Sequence, residues 1–336
     1  MTHSLISVIV PVYNAGRFLG ETLNALSRQS HEELEILCVD DGSTDDSSDI
    51  IKSHIEKDPR IKYIHQANAG PGAARNKGIE LANGKYIAFQ DSDDLLHPEA
   101  LACLAEAAEK NHADVAICGF QSCNESLTDV NWNIDLAGEA DVCIGDLAFE
   151  FQNSRKFRGH PWGKLYRRSS IAEIRFNDLH SGEDIYFNID IAARSKCMVV
   201  IPAPLYIYRQ AASSLTHQAQ HHVNTIEAGN RIGLHCIELF QQNILSRKAL
   251  LALIRRYSTN AICLHLLLMM GNEALSDVQR KMLLNKASEY LAALRSKMPF
   301  HANIFSMKYY CMYLTAIRLR SLAMLRLVCK LRRLVI

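Results

Sequence analysis

Over its first hundred residues the chain repeats one pattern: an apolar run stops at a polar turn, and apolar residues at helical spacing follow. LISVIVPVY (5–13) stops at Asn14-Ala15-Gly16, and Phe18, Leu19, Leu23 and Leu26 then mark one face of a helix over 17–29. LEILCVD (34–40) breaks at Asp41-Gly42, with Ser43 or Thr44 placed to cap a helix running to about Lys57. IKYIHQ (61–66) is followed by the glycine-bearing loop and helix NAGPGAARNKGIELA (68–82). KYIAFQ (85–90) ends at Asp91-Ser92-Asp93-Asp94, and His97-Pro98-Glu99 opens another helix with proline near its first turn. Continuous apolar runs of this kind suit strands buried on both faces. Strand–loop–helix units in series predict an α/β fold, a mostly parallel, Rossmann-like sheet with helices on both faces. Ligands bind such sheets beyond the carboxyl ends of the strands, where Asn14, Asp40, Asp41, Asp91 and Asp93 all fall.

Further along, ADVAICGFQ (113–121) reads as a fifth strand, and the polar stretch 122–160 has no clear pattern. GHPWGKLYRRSSI (159–171) leads into a short helix, SGEDIYFNIDIAARS (181–195) is a helix, and MVVIPAPLYIYRQ (198–210) is a strand followed by a loop to His217. From about residue 220 the pattern is helical. The expected organisation is an α/β domain over 1–217, in two halves (1–100 and 101–217), then a helical region over 218–336.

With 336 residues, 48% of them hydrophobic, the chain can bury a full core. A formal net charge of +1 gives no global pull toward nucleic acid. Ten cysteines without a CxxC pair or metal-ligand spacing argue for a reduced, cytoplasmic setting rather than a disulfide framework. The N-terminus has no basic region ahead of its apolar run, which Pro11 interrupts, so it reads as a strand and not as a signal peptide. The apolar stretch 261–270 contains His265 and is too short to span a bilayer.

Each candidate group has an ordinary structural reading beside a functional one. Asp91 and Asp93 alternate, so an extended segment would turn both to one side, where hard oxygen ligands suit Mg2+ or Mn2+. The same stretch can be an Asx turn and helix cap. Asp40 and Asp41 can accept from the edge of a base or cap a helix. The loop Gly70-Pro71-Gly72-Ala73-Ala74-Arg75 fits neither the dinucleotide fingerprint nor the P-loop, yet Arg75 at a helix N-terminus can face phosphate. Glu183 and Asp184 are ordinary partners of a helix dipole or a general base. His217 is a surface histidine or a ligand, and Trp162 and Tyr166 are a sugar platform or core.

Taken in order, SVIVPVYN, VDDGSTD, NAGPGAARNKGIELANGKYIAFQDSDD, WGKLYR and GEDIYFN resemble the family 2 glycosyltransferases of the GT-A fold, over about residues 4–217. The resemblance implies a UDP-sugar donor, a Mn2+ or Mg2+ cofactor, a glycan or lipid-linked acceptor, and inversion at the transferred carbon. It assigns Pro11, Val12 and Asn14 to the nucleotide, Asp41 with Asp40 to uracil, and Arg75 to the diphosphate. Asp91-Ser92-Asp93 matches the DxD motif, with Asp93 as metal ligand and Asp91 near ribose and metal. Asp184, supported by Glu183, matches the general base, and His217 a late histidine given to the metal or diphosphate. Asp94 is left to support the loop or cap the helix.

Two other classes of protein fit the pattern less well. A sugar-phosphate nucleotidyltransferase wants a Gly-x-Gly-Thr-Arg loop that is missing near the N-terminus and leaves GED unexplained. A non-catalytic binding relic of the fold has no need of both acidic motifs. The tail TAIRLRSLAMLRLVCKLRRLVI (315–336) mixes aliphatic and basic residues without an acid. It suits peripheral docking on an anionic membrane surface, the inner face of the cytoplasmic membrane, or a helix packed on the domain or in a homo-oligomer interface. Docking would fit a lipid-linked acceptor in cell-surface polysaccharide assembly, such as capsule or lipopolysaccharide.

Overall fold

The computed structural model describes residues 4–132, 140–153, 159–179, 181–210, 219–259, 262 and 276–299. His217 and the basic tail 315–336 lie outside the described residues. Contacts divide the chain into two compact units, one drawn from 1–147, 155–178 and 186–214, the other from 148–154, 179–185 and 215–336.

The first unit is built on one sheet of nine strands among the described residues: β1 (Ile6–Val12), β2 (Leu34–Asp40), β3 (Ile61–His65), β4 (Tyr86–Phe89), β5 (Leu95–Leu96), β6 (Val115–Cys123), β7 (Asp141–Ile144), β8 (Lys164–Arg167) and β9 (Cys197–Arg209). Their order is β3-β2-β1-β4-β8-β6-β9-β5, with β7 added to β9. Strands β1 to β4 are mutually parallel, as their helical crossovers require. The crossovers are α1 (Gly16–Ser27), α2 (Ser47–Ile55) and α3 (Pro71–Leu81). Ile6, Val8, Ile9 and Val10 of β1 are wholly buried between β2 and β4, which explains a run without polar alternation.

Beyond β4 the sheet becomes mixed. KLYR, read in sequence as the approach to a short helix, is β8, antiparallel to both β4 and β6. A four-residue run has too little periodicity to declare itself, and the open slot beside β4 decides its form. A short 3-10 turn at Arg168–Ile171 follows it. Strand β9 pairs parallel with β6 and antiparallel with β5 and β7. Helix α4 (Ala100–Lys110) packs its alanines and leucines against this half of the sheet. The unpatterned stretch after β6 contributes β7 and α5 (Leu147–Asn153).

Helix α2 starts at Ser47, later than the expected cap at Ser43 or Thr44. Those residues are spent on the preceding loop: the Ser43 N–H goes to Asp40 Oδ1 at 2.9 Å and the Thr44 N–H to Asn14 Oδ1 at 2.8 Å.

In the second unit, α7 (Ala219–Gln241) packs against α8 (Arg247–Leu253), a π-helical turn at Ile254–Thr259, and α9 (Asp277–Lys297). A methyl group on Gly233 would lie 2.5 Å from Leu294 Cδ2 and 2.6 Å from Ser258 Oγ, so a larger residue there would require both side chains to move. Ser276 and Gln279 form a capping box at the start of α9. Helix α6 (Glu183–Arg194) has its first turn in this unit, and its residues from Tyr186 onward belong to the first. None of the described helices is long and apolar enough to cross a membrane.

Candidate active site

The loops that follow β1, β2, β3 and β4 emerge together at the carboxyl edge of the parallel strands. The Asp41 N–H donates to the Val12 carbonyl at 2.8 Å, the Gln66 N–H to the Asp40 carbonyl at 2.9 Å, and the Gln90 N–H to the Ile9 carbonyl at 3.0 Å. These bonds extend the ladder by one residue and bring four loops side by side.

At the end of β1, Pro11 is half-buried and Val12 is in the core, so only the backbone of Val12 faces the loops. Asn14 adopts a left-handed conformation at φ 47°, a region that asparagine tolerates. Its Oδ1 accepts from the Thr44 N–H, and its own N–H donates to Ser43 Oγ at 3.0 Å. Asn14 therefore fastens the first loop to the second. Between Val12 and Asn14, Tyr13 is 54% exposed, an aromatic face that sequence reading passed over.

Asp40 and Asp41 are both buried and have different work. Asp40 accepts from the Ser43 N–H and the Tyr63 hydroxyl at 2.8 Å. Burial acts to raise its pKa, but the bonds from Ser43, Tyr63 and His65 outweigh it and hold the carboxyl below its ordinary value. Asp41 accepts from Gln66 Nε2 at 2.7 Å and from the N–H groups of Ala69 and Gly70 at 2.9 and 2.8 Å. It thus anchors the glycine loop that opens α3. A carboxylate offers about four acceptor positions, so Asp41 retains capacity for one more donor.

Arg75, in the first turns of α3, is also buried. Its guanidinium donates to Asp91 Oδ1 at 3.0 Å and lies over the Phe176 ring at 5.3 Å. This joins the glycine-loop helix to the acidic segment.

The segment Asp91-Ser92-Asp93-Asp94 is a tight turn, closed by the Asp94 N–H on the Asp91 carbonyl at 3.2 Å. The extended geometry from which alternation put Asp91 and Asp93 on one side is therefore absent, and the turn itself gathers the carboxylates. Asp94 is 1% exposed; its Oδ2 takes the Tyr206 hydroxyl at 2.7 Å and its Oδ1 the Arg209 N–H at 2.8 Å. Thr22 Oγ1 on α1 lies 3.0 Å from the Ser92 carbonyl and 2.9 Å from that of Asp94. Burial, reinforced by the charge of Asp91, pushes Asp93 up to about 6. Burial and both neighbouring acids push Asp94 up as well. Such crowding favours a nearby cation. Among the described residues no group of three or more His, Cys, Asp or Glu can hold a metal alone. Asp91 and Asp93 are hard oxygen donors that fit a Mg2+ or Mn2+ ion sharing its remaining positions with diphosphate oxygens.

In the second unit, Glu183 and Asp184 begin α6, both half-buried, after Gly182 at φ 80°. Asp184 Oδ1 accepts from the Ile185 N–H at 2.7 Å. Burial, with the charge of Asp184 adding to it, raises the hydroxyl pKa of Tyr257 on the π-helical turn. Tyr166 is core, not platform: it is wholly buried and donates from its hydroxyl to the Pro161 carbonyl at 3.0 Å. Trp162 is 7% exposed and stacked between His160 at 3.4 Å and Tyr206 at 4.2 Å, so it supports the Tyr206–Asp94 contact from beneath. Thr22, Tyr206 and Arg209 escaped sequence reading because nothing in the local spacing ties them to residues 91–94.

A sheet of this order, carrying an acidic turn after its fourth strand, defines the GT-A fold. The chain belongs to glycosyl transferase family 2, whose profile matches residues 7–175. It is similar to glycosyltransferase GlyA of Streptococcus pneumoniae, 35% identical over 63% of this chain and 31% of that one. It is similar also to the uncharacterized glycosyltransferase EpsJ of Bacillus subtilis, 35% identical over 63% of each chain. The chain thus spans less than two thirds of the length of these relatives. The crystal structure of S. aureus TarS 1–349 in complex with UDP-GlcNAc shares the fold, with a TM-score of 0.72 and 21% identity over 98% of this chain and 92% of that one.

Proposed function

We propose that this chain transfers a sugar from a UDP-sugar to a hydroxyl of a glycan or lipid-linked acceptor, with inversion at the transferred carbon. The observation that carries the reading is the Arg75–Asp91 contact at 3.0 Å, which joins a helix N-terminus suited to phosphate with a turn suited to a divalent cation. The UDP-GlcNAc complex of TarS, a protein of the same fold, supports the choice of donor.

In this reading Asp41 uses its remaining acceptor capacity on the imide of uracil, and Asp40 fixes the loop beside it. Pro11, Val12 and Asn14 line the base with backbone and loop, and Ser92 belongs to the turn that faces the donor. Arg75 supplies charge-assisted hydrogen bonds to the diphosphate. Asp93 and Asp91 would hold Mn2+ or Mg2+, which when bound neutralises charge on the departing diphosphate. Asp184, oriented with the help of Glu183, takes the proton from the attacking hydroxyl; a base of this kind is typically worth ~10²–10⁴ in rate. His217 is assigned by the family resemblance to the metal or the diphosphate. The GT-A domain ends near residue 217, and the helical region that follows docks on an anionic membrane surface or joins two copies of the chain.

The test is nucleotide release from a panel of UDP- and GDP-sugars with Mn2+, with Mg2+ and with EDTA, together with Asp184→Asn. Metal-dependent release from one UDP-sugar, abolished in Asp184→Asn while UDP binding survives, is the expected result. Transfer at near wild-type rate in that variant would remove Asp184 from the role of base.

A further inference from the structure

Arg209 closes β9, and its side chain is 1% exposed. The guanidinium spans three segments that are remote in sequence. Its Nε donates to the Asp93 carbonyl at 2.8 Å, its Nη2 to Glu21 Oε2 on α1 at 2.7 Å, and its Nη1 to the Glu125 carbonyl beyond β6. The plane also lies over the Phe18 ring at 4.3 Å, so packing fixes it as well as hydrogen bonding. The backbone N–H of the same residue holds Asp94 Oδ1.

What matters is which atoms of the acidic turn the guanidinium addresses. An arginine serving only to neutralise three carboxylates would direct its fork at them. Arg209 instead grips the peptide carbonyl of Asp93, while its charge is matched by Glu21 on another element. Thr22 on α1 brings one hydroxyl proton within reach of the carbonyls of Ser92 and Asp94. The carbonyls of the turn thereby face donors from both α1 and β9. These contacts constrain the backbone from which Asp91 and Asp93 project, without occupying their carboxylate oxygens.

We propose that Arg209 is a positioning residue for the acidic turn: through the Asp93 carbonyl it sets the orientation of Asp91 and Asp93 on which metal-assisted diphosphate binding depends. The inference rests on the donor-site reading given above. Partners that orient metal ligands typically contribute about 10- to 100-fold in metal affinity. A substitution at Arg209 should therefore act on the part of nucleotide affinity that the metal supplies.

The experiment uses the full chain and measures UDP affinity calorimetrically with Mn2+ and with EDTA, the ratio of the two being the readout. Arg209→Met should keep UDP affinity in EDTA within about twofold and lower the metal-dependent gain about 10- to 100-fold. Arg209→Lys, which keeps the charge and one donor, should recover part of that gain. A lowered melting temperature with the full gain retained would overturn the inference and leave Arg209 a structural clamp. Should the methionine variant not fold, the lysine variant decides on the same ratio: a reduced gain supports the proposal and a full gain overturns it. A wild-type chain showing no metal-dependent gain would instead overturn the donor-site reading and this inference with it.

Discussion

The Tyr206 hydroxyl donates to Asp94 Oδ2 at 2.7 Å across 112 residues of sequence, with both groups buried. The bond separates the third carboxylate of the acidic turn from the other two: Asp94 is an anchor. Tyr206→Phe removes a buried hydrogen bond and leaves Asp94 Oδ2 with one donor fewer. A loss of about 1–3 kcal/mol in unfolding free energy is expected. Urea denaturation of the two proteins measures it, and a change under about 0.5 kcal/mol, the scale of an ordinary surface substitution, would mean that the anchor is held by its backbone contacts alone.

Arg75 links the α3 N-terminus to Asp91, with side chains 8% and 27% exposed. If its other donors meet the diphosphate, Arg75→Met removes charge-assisted bonds of about 1.5–3 kcal/mol, or roughly 10- to 100-fold in UDP dissociation constant. Arg75→Lys should recover only part, since an ammonium cannot bond both Asp91 and a phosphate with the geometry of a fork. Calorimetric titration with UDP checks this. Equal affinity in wild type and the methionine variant would confine Arg75 to a structural role.

The elements legible in the sequence were those in which local pattern and tertiary role agree. Strands β1 and β2 are buried on both faces, so their unbroken apolar runs announced them, and Pro71 at the start of α3 marked the helix in advance. Strand β8 was not legible, because a four-residue strand carrying Lys164 and Arg167 takes its form from the slot between β4 and β6. At the site, spacing singled out Asp40, Asp41, Arg75, Asp91 and Asp93. Spacing could not divide the labour among them, nor show that Asp41 holds the loop at 69–70. Arg209, Tyr206 and Thr22 reach the acidic turn only through folding.

Gly84 lies where the loop after α3 turns into β4. A methyl group there would stand 2.6 Å from the Ser7 nitrogen and 2.7 Å from the Tyr86 carbonyl oxygen, both backbone atoms of the sheet. Backbone cannot swing aside as a flexible side chain would. Gly84→Ala should therefore cost about 1–3 kcal/mol, the usual range for forcing atoms into a packed interior. Thermal melts of wild type and variant check this, and an unchanged midpoint would mean that β1 and β4 shift apart at little cost.

The same corner holds a carboxylate whose ionisation is tied to folding. Glu35, on β2, accepts from Ser7 Oγ at 2.6 Å, the Asn83 N–H at 2.6 Å and Lys62 Nζ at 2.8 Å. Burial works to raise its pKa, but Lys62, Ser7 and Asn83 outweigh it and bring the carboxyl from its ordinary 4.5 down to about 2. A folded pKa below the unfolded one means that the unfolded chain binds this proton first as the solution is acidified. The stabilisation is thus complete above about pH 4.5 and lost as the pH falls toward about 2. Glu35→Gln should be less stable than wild type at neutral pH, with the gap narrowing once the pH drops below 4.5. Urea midpoints for both proteins across that range give the gap directly. A gap that stays constant down to about pH 3 would show that Glu35 acts through packing and neutral hydrogen bonds, without a proton linked to folding.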